Sequence, residues 1–234
     1  MKAIVYAIIM AAATIACQAA TAQGAQAVIK APPLQPWQAR RAQLDQTIRA
    51  AENGDPTATK QFDQVLTDLE KSPYGRTPIE NLEIMGAYYL PNEGVETTLP
   101  LIVTNLLLGW YDTLRFASSS GKAEILNNEH FFDKAFVLSN SDVTAKARAF
   151  MQSHPEQVAK LLAQGFGYAE KSREIQSYDR HWPTAYGLER IICASGGDCK
   201  ERPSLPKDQW DTAWLEAKNQ VNRYFNVKPA TATR

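Results

Sequence analysis

Apolar residues recur along this chain at the spacing of one helix face, and stretches that alternate every second residue are scarce. The clearest stripe follows the i, i+3, i+4 and i+7 pattern of an amphipathic helix and consists of Phe62, Val65, Leu66 and Leu69. Comparable stripes recur from position 37 to position 225. The pattern predicts an all-α protein, a single globular multi-helix domain of about eight or nine helices with short loops.

Helix ends are marked by residues that cap backbone groups. Asp55 stands directly before Pro56, as an N-cap residue does before a first helical position that tolerates proline. Thr77 and Glu80 have the spacing of a capping box, in which each side chain bonds the other residue's amide. The helix that begins there is predicted to end near residue 90, because the sequence Pro-Asn-Glu-Gly at 91–94 should break it.

The most apolar stretch of the body of the chain, 99–116, predicts a central helix that is buried on nearly all sides. We do not expect it to cross a membrane, because it carries Asn105, Asp112 and Arg115, and polar groups at a bilayer centre are costly. Buried polar groups need partners. These three residues therefore form either a structural polar network or the floor of a pocket.

The N-terminus has the pattern of an export signal. Lys2 precedes an uncharged apolar run over 3–15, and the small residues Ala20 and Ala22 fit a signal peptidase site. The expected location of the protein is therefore the periplasm or the cell exterior. We predict four segments, namely a signal peptide over 1–22, a Pro-rich lead-in over 23–36, a helical domain over 37–226 and a flexible tail over 227–234.

The three cysteines bear on this location. Cys17 follows a segment that resembles the lipid-attachment box of bacterial lipoproteins, except that Thr14 stands where that box normally has leucine. Cys17 is therefore either lipidated, which would anchor the protein to the membrane, or removed with the leader. Cys193 and Cys199 are six positions apart, and a redox pair would have the closer Cys-x-x-Cys spacing. We predict that they form a structural disulfide, as suits an oxidising compartment.

Charge and motif content exclude several function classes. The chain has 25 basic and 25 acidic residues, so it has no basic excess for nucleic acid to recognise. It has no phosphate-binding glycine loop, no Gly-x-Ser-x-Gly and no His-Glu-x-x-His. Asn127, His130 and Asp133 are three positions apart, but a zinc site usually has a second histidine at helical spacing. We therefore expect no metal and no cofactor.

Functional side chains are densest between positions 178 and 190. Trp, Tyr and Arg dominate the energetics of protein interfaces, so this stretch could present a binding surface held in place by the disulfide. The alternative interpretation is a helix N-terminus with satisfied polar groups and a tryptophan in the core. The candidate binding residues are Asp179, His181, Trp182, Tyr186, Glu189 and Arg190.

Together these features favour an exported, non-enzymatic envelope protein that binds another envelope protein, of the inhibitor, immunity or assembly-accessory type. The alternative is a periplasmic hydrolase acting on cell-wall or glycan material, with Glu189 or another carboxylate as acid/base and His181 assisting. A third hypothesis is a small-ligand carrier, whose pocket on the central helix would be lined by Leu106, Trp110 and Leu114.

Overall fold

The computed structural model describes residues 36–116, 119–129, 141–178, 180–185 and 203–225. Within these ranges the regular structure is helical and no strand occurs, so the all-α prediction is confirmed. The predicted signal peptide, Cys17, the lead-in up to residue 35, both cysteines of the predicted disulfide and the tail from residue 227 lie outside the described residues.

The α-helices are α1 (Pro36–Glu52), α2 (Pro56–Lys71), α3 (Pro78–Ile84), α4 (Leu90–Arg115), α5 (Ser119–Glu129), α6 (Ser141–Ser153), α7 (Pro155–Ser172) and α8 (Trp210–Tyr224). A π-helical turn over Met85–Tyr89 joins α3 to α4, and short 3-10 turns cover Trp182–Ala185 and Lys207–Gln209. If the run from Pro78 to Arg115 is counted as one helix, the described residues hold seven, slightly fewer than predicted.

The predicted caps form at both places. The Asp55 side chain accepts hydrogen bonds from the amides of Thr57 and Ala58 at the start of α2. Thr77 and Glu80 form the complete capping box at the start of α3. Such caps satisfy amides that the first helical turn leaves without partners, which explains why these two helices begin where they do.

The predicted break at 91–94 is only a kink. Gly94 has φ 76° and ψ −178°, a non-helical conformation that favours glycine, but the chain is helical on both sides of it. The difference from the prediction arises because Pro91 comes just after the π-helical turn, where the regular i→i−4 hydrogen-bond pattern is already interrupted. Helix α4 therefore continues directly from the π-helical turn.

Helix α4 is the centre of the domain, as predicted. Its side chains are buried around most of its circumference, including Leu99, Ile102, Val103, Leu106, Leu107, Leu108, Trp110 and Tyr111. Helices α3, α5, α7 and α8 pack around it, while α1 and α2 pair with each other and form a smaller apolar cluster with Ile84. None of the described helices is long and apolar enough to span a membrane.

Helix α7 lies unusually close to α4. A Cβ atom at Gly165 would be 2.6 Å from the Val103 Cβ and 2.7 Å from the Pro100 carbonyl oxygen. The Thr104 hydroxyl donates across the same contact to the Gly165 carbonyl oxygen at 3.1 Å. The absence of a side chain at Gly165 thus allows the two backbones to approach.

Candidate ligand cleft

A cleft of about 370 Å³ lies where the end of α2, the π-helical turn, α4 and α7 meet. This volume is within the range of small-molecule sites, roughly 300–1,000 Å³. Its walls are mainly apolar and aromatic, and they include Leu69, Pro73, Tyr74, Met85, Tyr89, Leu101, Leu108 and Tyr168. Asn81, Thr104, Asn105 and Ser172 add polar atoms to this surface.

The π-helical turn contributes the cleft wall between α3 and α4. Met85 and Tyr89, the first and last residues of the turn, both line the cleft. A π-helical turn holds one more residue than an α-helical turn, and such turns are found often at functional sites. The turn thereby sets the rotation of α3, which carries Asn81, relative to α4, which carries Asn105.

Asn81 and Asn105 form an incomplete hydrogen-bond chain at the cleft wall. Asn105 Nδ2 donates to the Leu101 carbonyl oxygen at 2.9 Å, and this bond fixes which amide atom is which. Asn105 Oδ1 then accepts from Asn81 Nδ2 at 2.9 Å. Asn81 Oδ1 is left buried with no hydrogen-bond partner among the described residues. An unsatisfied buried acceptor of this kind costs about 1–3 kcal/mol.

The two aliphatic hydroxyl groups of the cleft lie within hydrogen-bond distance of backbone carbonyl oxygens. Thr104 Oγ1 lies 2.8 Å from the Pro100 carbonyl oxygen and 3.1 Å from that of Gly165, and its single hydrogen is shared between them. Ser172 Oγ lies 2.8 Å from the Tyr168 carbonyl oxygen, to which it donates. Each hydroxyl oxygen keeps acceptor capacity, because it has two lone pairs.

The mouth of the cleft is aromatic and carries one charge of each sign. Tyr74 and Tyr168 are 39% and 42% exposed. Burial raises the pKa of Tyr89, and the carboxylate of Glu70 adds to the increase. Glu70 on α2 and Lys171 on α7 both line the cleft and are exposed, so the mouth has no net charge bias.

The other polar group of the central helix, Asp112, belongs to a closed network. Asp112 is 1% exposed, and its Oδ2 accepts from the Tyr178 hydroxyl at 2.6 Å and from Trp182 Nε1 at 2.9 Å. Burial raises the pKa of Asp112 to about 6, although both hydrogen bonds and the positive charge of Arg115 oppose the shift. The network attaches the segment around 178–182 to α4.

Arg115 is held next to this network mainly by aromatic rings. Its Nη1 lies 3.9 Å from Asp112 Oδ1, and its guanidinium carbon lies 4.0 Å from the centre of the Trp210 ring. Two of its nitrogens, Nε and Nη1, are buried without hydrogen-bond partners among the described residues. Its charge is therefore stabilised by Asp112 and by cation–π contacts.

A pair of carboxylates meets at a different place, between α1, α3 and α5. Arg41 Nε lies 2.7 Å from Glu83 Oε1, and Arg41 Nη1 lies 2.8 Å from Glu124 Oε1. Burial raises the pKa of Glu83 to about 7, and Arg41 offsets part of that increase. Because one guanidinium holds both carboxylates, this arrangement is an ion-pair network that joins three helices.

The predicted binding residues of 178–190 are only partly described. Trp182 is fully buried, as in the interpretation that put a tryptophan in the core. His181 is exposed and its ring centre lies 4.8 Å from that of Phe116. The other four candidates lie outside the described residues, and they are Asp179, Tyr186, Glu189 and Arg190. His130, Asp133 and the side chain of Asn127 also lie outside them.

The central helix does line a cleft, but with other residues than the carrier hypothesis named. Leu106 and Trp110 are buried in the main core, and Leu114 packs against it. The cleft uses Leu101, Thr104, Asn105 and Leu108 instead. Leu101 and Leu108 are four and three positions from Asn105, so the three residues share a helix face. Two apolar residues beside a polar one were the signal that could have identified this face.

Comparison of the chain with protein-family models, curated proteins and solved structures found no match. Within the part of the chain that the structure describes, no group of three or more His, Cys, Asp or Glu side chains could hold a metal ion. The candidate site is the cleft, whose lining offers apolar and aromatic surface with a few polar side chains.

Proposed function

We propose that this protein binds a small, largely apolar molecule in the cleft between α2, the π-helical turn, α4 and α7. The observation that carries the proposal is the mainly apolar cleft of about 370 Å³, which is lined by aliphatic and aromatic side chains with a few polar ones among them. Small-molecule sites typically combine apolar walls with a few placed polar atoms. A bound molecule would gain from leaving water, and the exposed tyrosines at the mouth would extend its contact area.

The proposal is tested with naphthalene, an uncharged aromatic probe that has no polar group. Binding is measured by isothermal titration calorimetry on the purified protein. In the variant Leu101→Trp, the half-buried Leu101 is replaced by a larger side chain that fills part of the cleft, and affinity should fall at least tenfold. The matched control is Leu215→Trp on α8, where the side chain is 59% exposed and does not line the cleft.

Retained affinity in Leu215→Trp together with loss in Leu101→Trp would support the proposal. Absence of naphthalene binding to the unaltered protein would refute it, and so would equal affinity of both variants. Circular dichroism spectra of the variants check that each one is folded.

The two functions predicted from the sequence stay predictions. Protein binding and hydrolysis were both assigned to candidate residues of 178–190, and four of those six lie outside the described residues. The export signal and the periplasmic or secreted location also stay predictions. A cleft that binds apolar molecules is compatible with an envelope protein, since its ligand could be collected from outside the cell or from a neighbouring membrane.

A further inference from the structure

We infer that the ligand of the cleft is an organic cation, with an apolar body inside the cleft and a positively charged amino group at the wall formed by Glu70, Tyr74 and Tyr89. This inference rests on the proposed function, because it specifies the ligand of the same cleft. Three features of the mouth support it, namely an unpaired carboxylate, two helix ends and a set of tyrosine rings.

Glu70 brings a negative charge to the cleft that no side chain neutralises. It lines the cleft from the last turn of α2, and it forms no ion pair or hydrogen bond among the described residues. Buried or half-buried carboxylates elsewhere in the domain do have such partners, as Glu80 and Glu170 have in Arg40 and Lys218. The charge of Glu70 is therefore available to a ligand.

The negative charge reaches the cleft wall at Tyr89. Burial raises the pKa of the Tyr89 hydroxyl, and the carboxylates of Glu70 and Glu93 raise it further. These carboxylates disfavour a second negative charge at that position. A positive group of a ligand next to Tyr89 would be stabilised by the same two charges.

Two helices also direct their C-terminal ends to the cleft. Leu69 and Glu70 come from the last turn of α2, and Lys171 and Ser172 come from the last turn of α7. The C-terminal end of a helix carries a partial negative charge of about half an elementary charge, which favours cations. Helix α3 brings its N-terminal part to the cleft, but a carboxylate, that of Glu80, caps this positive end.

Tyrosine rings add a preference of the same sign. Tyr74, Tyr89 and Tyr168 line the cleft. The face of an aromatic ring attracts a cation through its quadrupole, and it offers an anion no such attraction. The phenolic oxygens can in addition accept hydrogen bonds from a protonated amine.

The donors of the cleft lining do less for an anion. Lys171 is exposed, and its flexible stem lets the ammonium group stay in water. Gln176 Nε2 donates to the Ser172 carbonyl oxygen at 3.2 Å. A carboxylate ligand would gain one exposed ion pair with Lys171, which contributes little, and it would be repelled by Glu70 and by both helix ends.

The test compares probes that share one ring system and differ in charge. These are 2-naphthylmethylammonium, 2-naphthylmethanol and 2-naphthoate, with naphthalene as the reference, in isothermal titration calorimetry at pH 7. We expect the ammonium probe to bind about three to ten times more tightly than the alcohol, and the naphthoate to bind most weakly of these three. Added salt should reduce the advantage of the ammonium probe, because Glu70 is exposed.

The charge of Glu70 is tested by Glu70→Gln, which should weaken binding of the ammonium probe about threefold or more and leave the alcohol unaffected. The matched control is Asp63→Asn, which removes an exposed carboxylate from the same helix, about 10 Å along its axis and outside the cleft. This control should keep the full preference for the cation. Lys171→Gln should leave binding of the ammonium probe unchanged or make it tighter.

The ring contribution is tested at Tyr74, whose side chain is 39% exposed, so that substitution there should not prevent folding. Tyr74→Leu should reduce the preference for the ammonium probe over the alcohol. Tyr74→Phe keeps the ring and should retain most of that preference.

The outcomes separate this inference from the proposed function. Equal affinity for the ammonium probe and the alcohol would overturn the cation preference and leave the apolar cleft standing. Tightest binding of the naphthoate would overturn it as well, and so would equal losses in Glu70→Gln and Asp63→Asn. If none of the four probes binds, both proposals fall.

Discussion

Two sites on α4, around Asn105 and around Asp112, both hold polar side chains inside an apolar environment, and they satisfy them differently. At Asp112, the carboxylate receives two hydrogen bonds from Tyr178 and Trp182, and the network is buried. At Asn105, the hydrogen-bond chain continues to Asn81 and ends in an oxygen that has no partner among the described residues.

The difference shows how a satisfied polar network differs from the polar groups beside the proposed binding cleft. A satisfied buried network rigidifies its surroundings, whereas an incomplete one carries a desolvation cost. Arg115 shows that an unpartnered nitrogen alone is an insufficient sign, because aromatic rings cover it. The combination of an unpartnered atom and an adjacent cavity is what distinguishes the surroundings of Asn105 from those of Asp112.

The largest expected effect comes from breaking the hydrogen-bond network of Asp112. Asp112→Ala would leave the Tyr178 hydroxyl and the Trp182 indole N–H buried without an acceptor, at a cost of about 3–5 kcal/mol in the free energy of unfolding. Urea denaturation followed by tryptophan fluorescence measures this change. Asp112→Asn keeps a carbonyl oxygen in place and should lose less than half as much. Equal losses in both variants would show that the two hydrogen bonds contribute little.

A smaller loss of stability is expected from forcing α7 away from α4 at Gly165, next to the cleft. Gly165→Ala places a methyl group against Val103 and the Pro100 carbonyl oxygen, and overpacking of this kind costs about 1–3 kcal/mol. Gly167→Ala on the same helix is the matched control, since a Cβ there meets nothing within 4 Å. The control should be neutral or up to about 1 kcal/mol more stable because alanine favours helix. Thermal denaturation of both variants decides the point.

The pH dependence of stability should be about 1 kcal/mol at Asp112 and absent at the asparagine pair, because only Asp112 titrates. The pKa of Asp112 is raised by folding from 3.8 to about 6, so the folded state binds the proton more readily than the unfolded state. Its contribution is therefore complete below pH 4 and is lost as the pH rises through 6. Between pH 7.5 and pH 5 the unaltered protein should gain about 1 kcal/mol relative to Asp112→Asn in urea denaturation. An identical pH dependence of the two proteins would contradict the raised pKa.

The smallest effect on stability is expected at the asparagine pair Asn81 and Asn105. Asn81→Leu removes the unpartnered oxygen but leaves Asn105 Oδ1 without its donor, so the two changes nearly cancel and stability should shift by less than about 1 kcal/mol. The same denaturation measurement checks it. A loss comparable to that of Asp112→Ala would mean that Asn81 belongs to a structural network after all.

Much of this fold could be predicted from local sequence. The stripe at 62–69, the caps at Asp55 and Thr77, and the burial of 99–116 each depend on neighbours within a few positions. Helical periodicity and capping are local properties, so they can be recognised without knowing the tertiary structure.

The cleft could not be predicted in the same way. Asn81 and Asn105 are 24 positions apart. Their contact depends on a π-helical turn that could not be predicted from the sequence Met-Gly-Ala-Tyr-Tyr. Asp112 and Trp182 are 70 positions apart. The sequence could show that the polar residues of the central helix need partners, but only packing decides which ones find them.

The π-helical turn over Met85–Tyr89 makes the number of residues between Asn81 and Asn105 as important as their identity. A π-helical turn absorbs one extra residue. Deleting one residue from 85–89 would therefore let that segment become an ordinary α-helix while α3 and α4 kept nearly the same relative rotation. The α-helical stretch 95–104 has no π-helical turn, and each residue of an α-helix turns the chain by about 100°, so a one-residue deletion there would rotate Asn105 away from Asn81. The position of such a deletion therefore decides whether the two asparagines stay together.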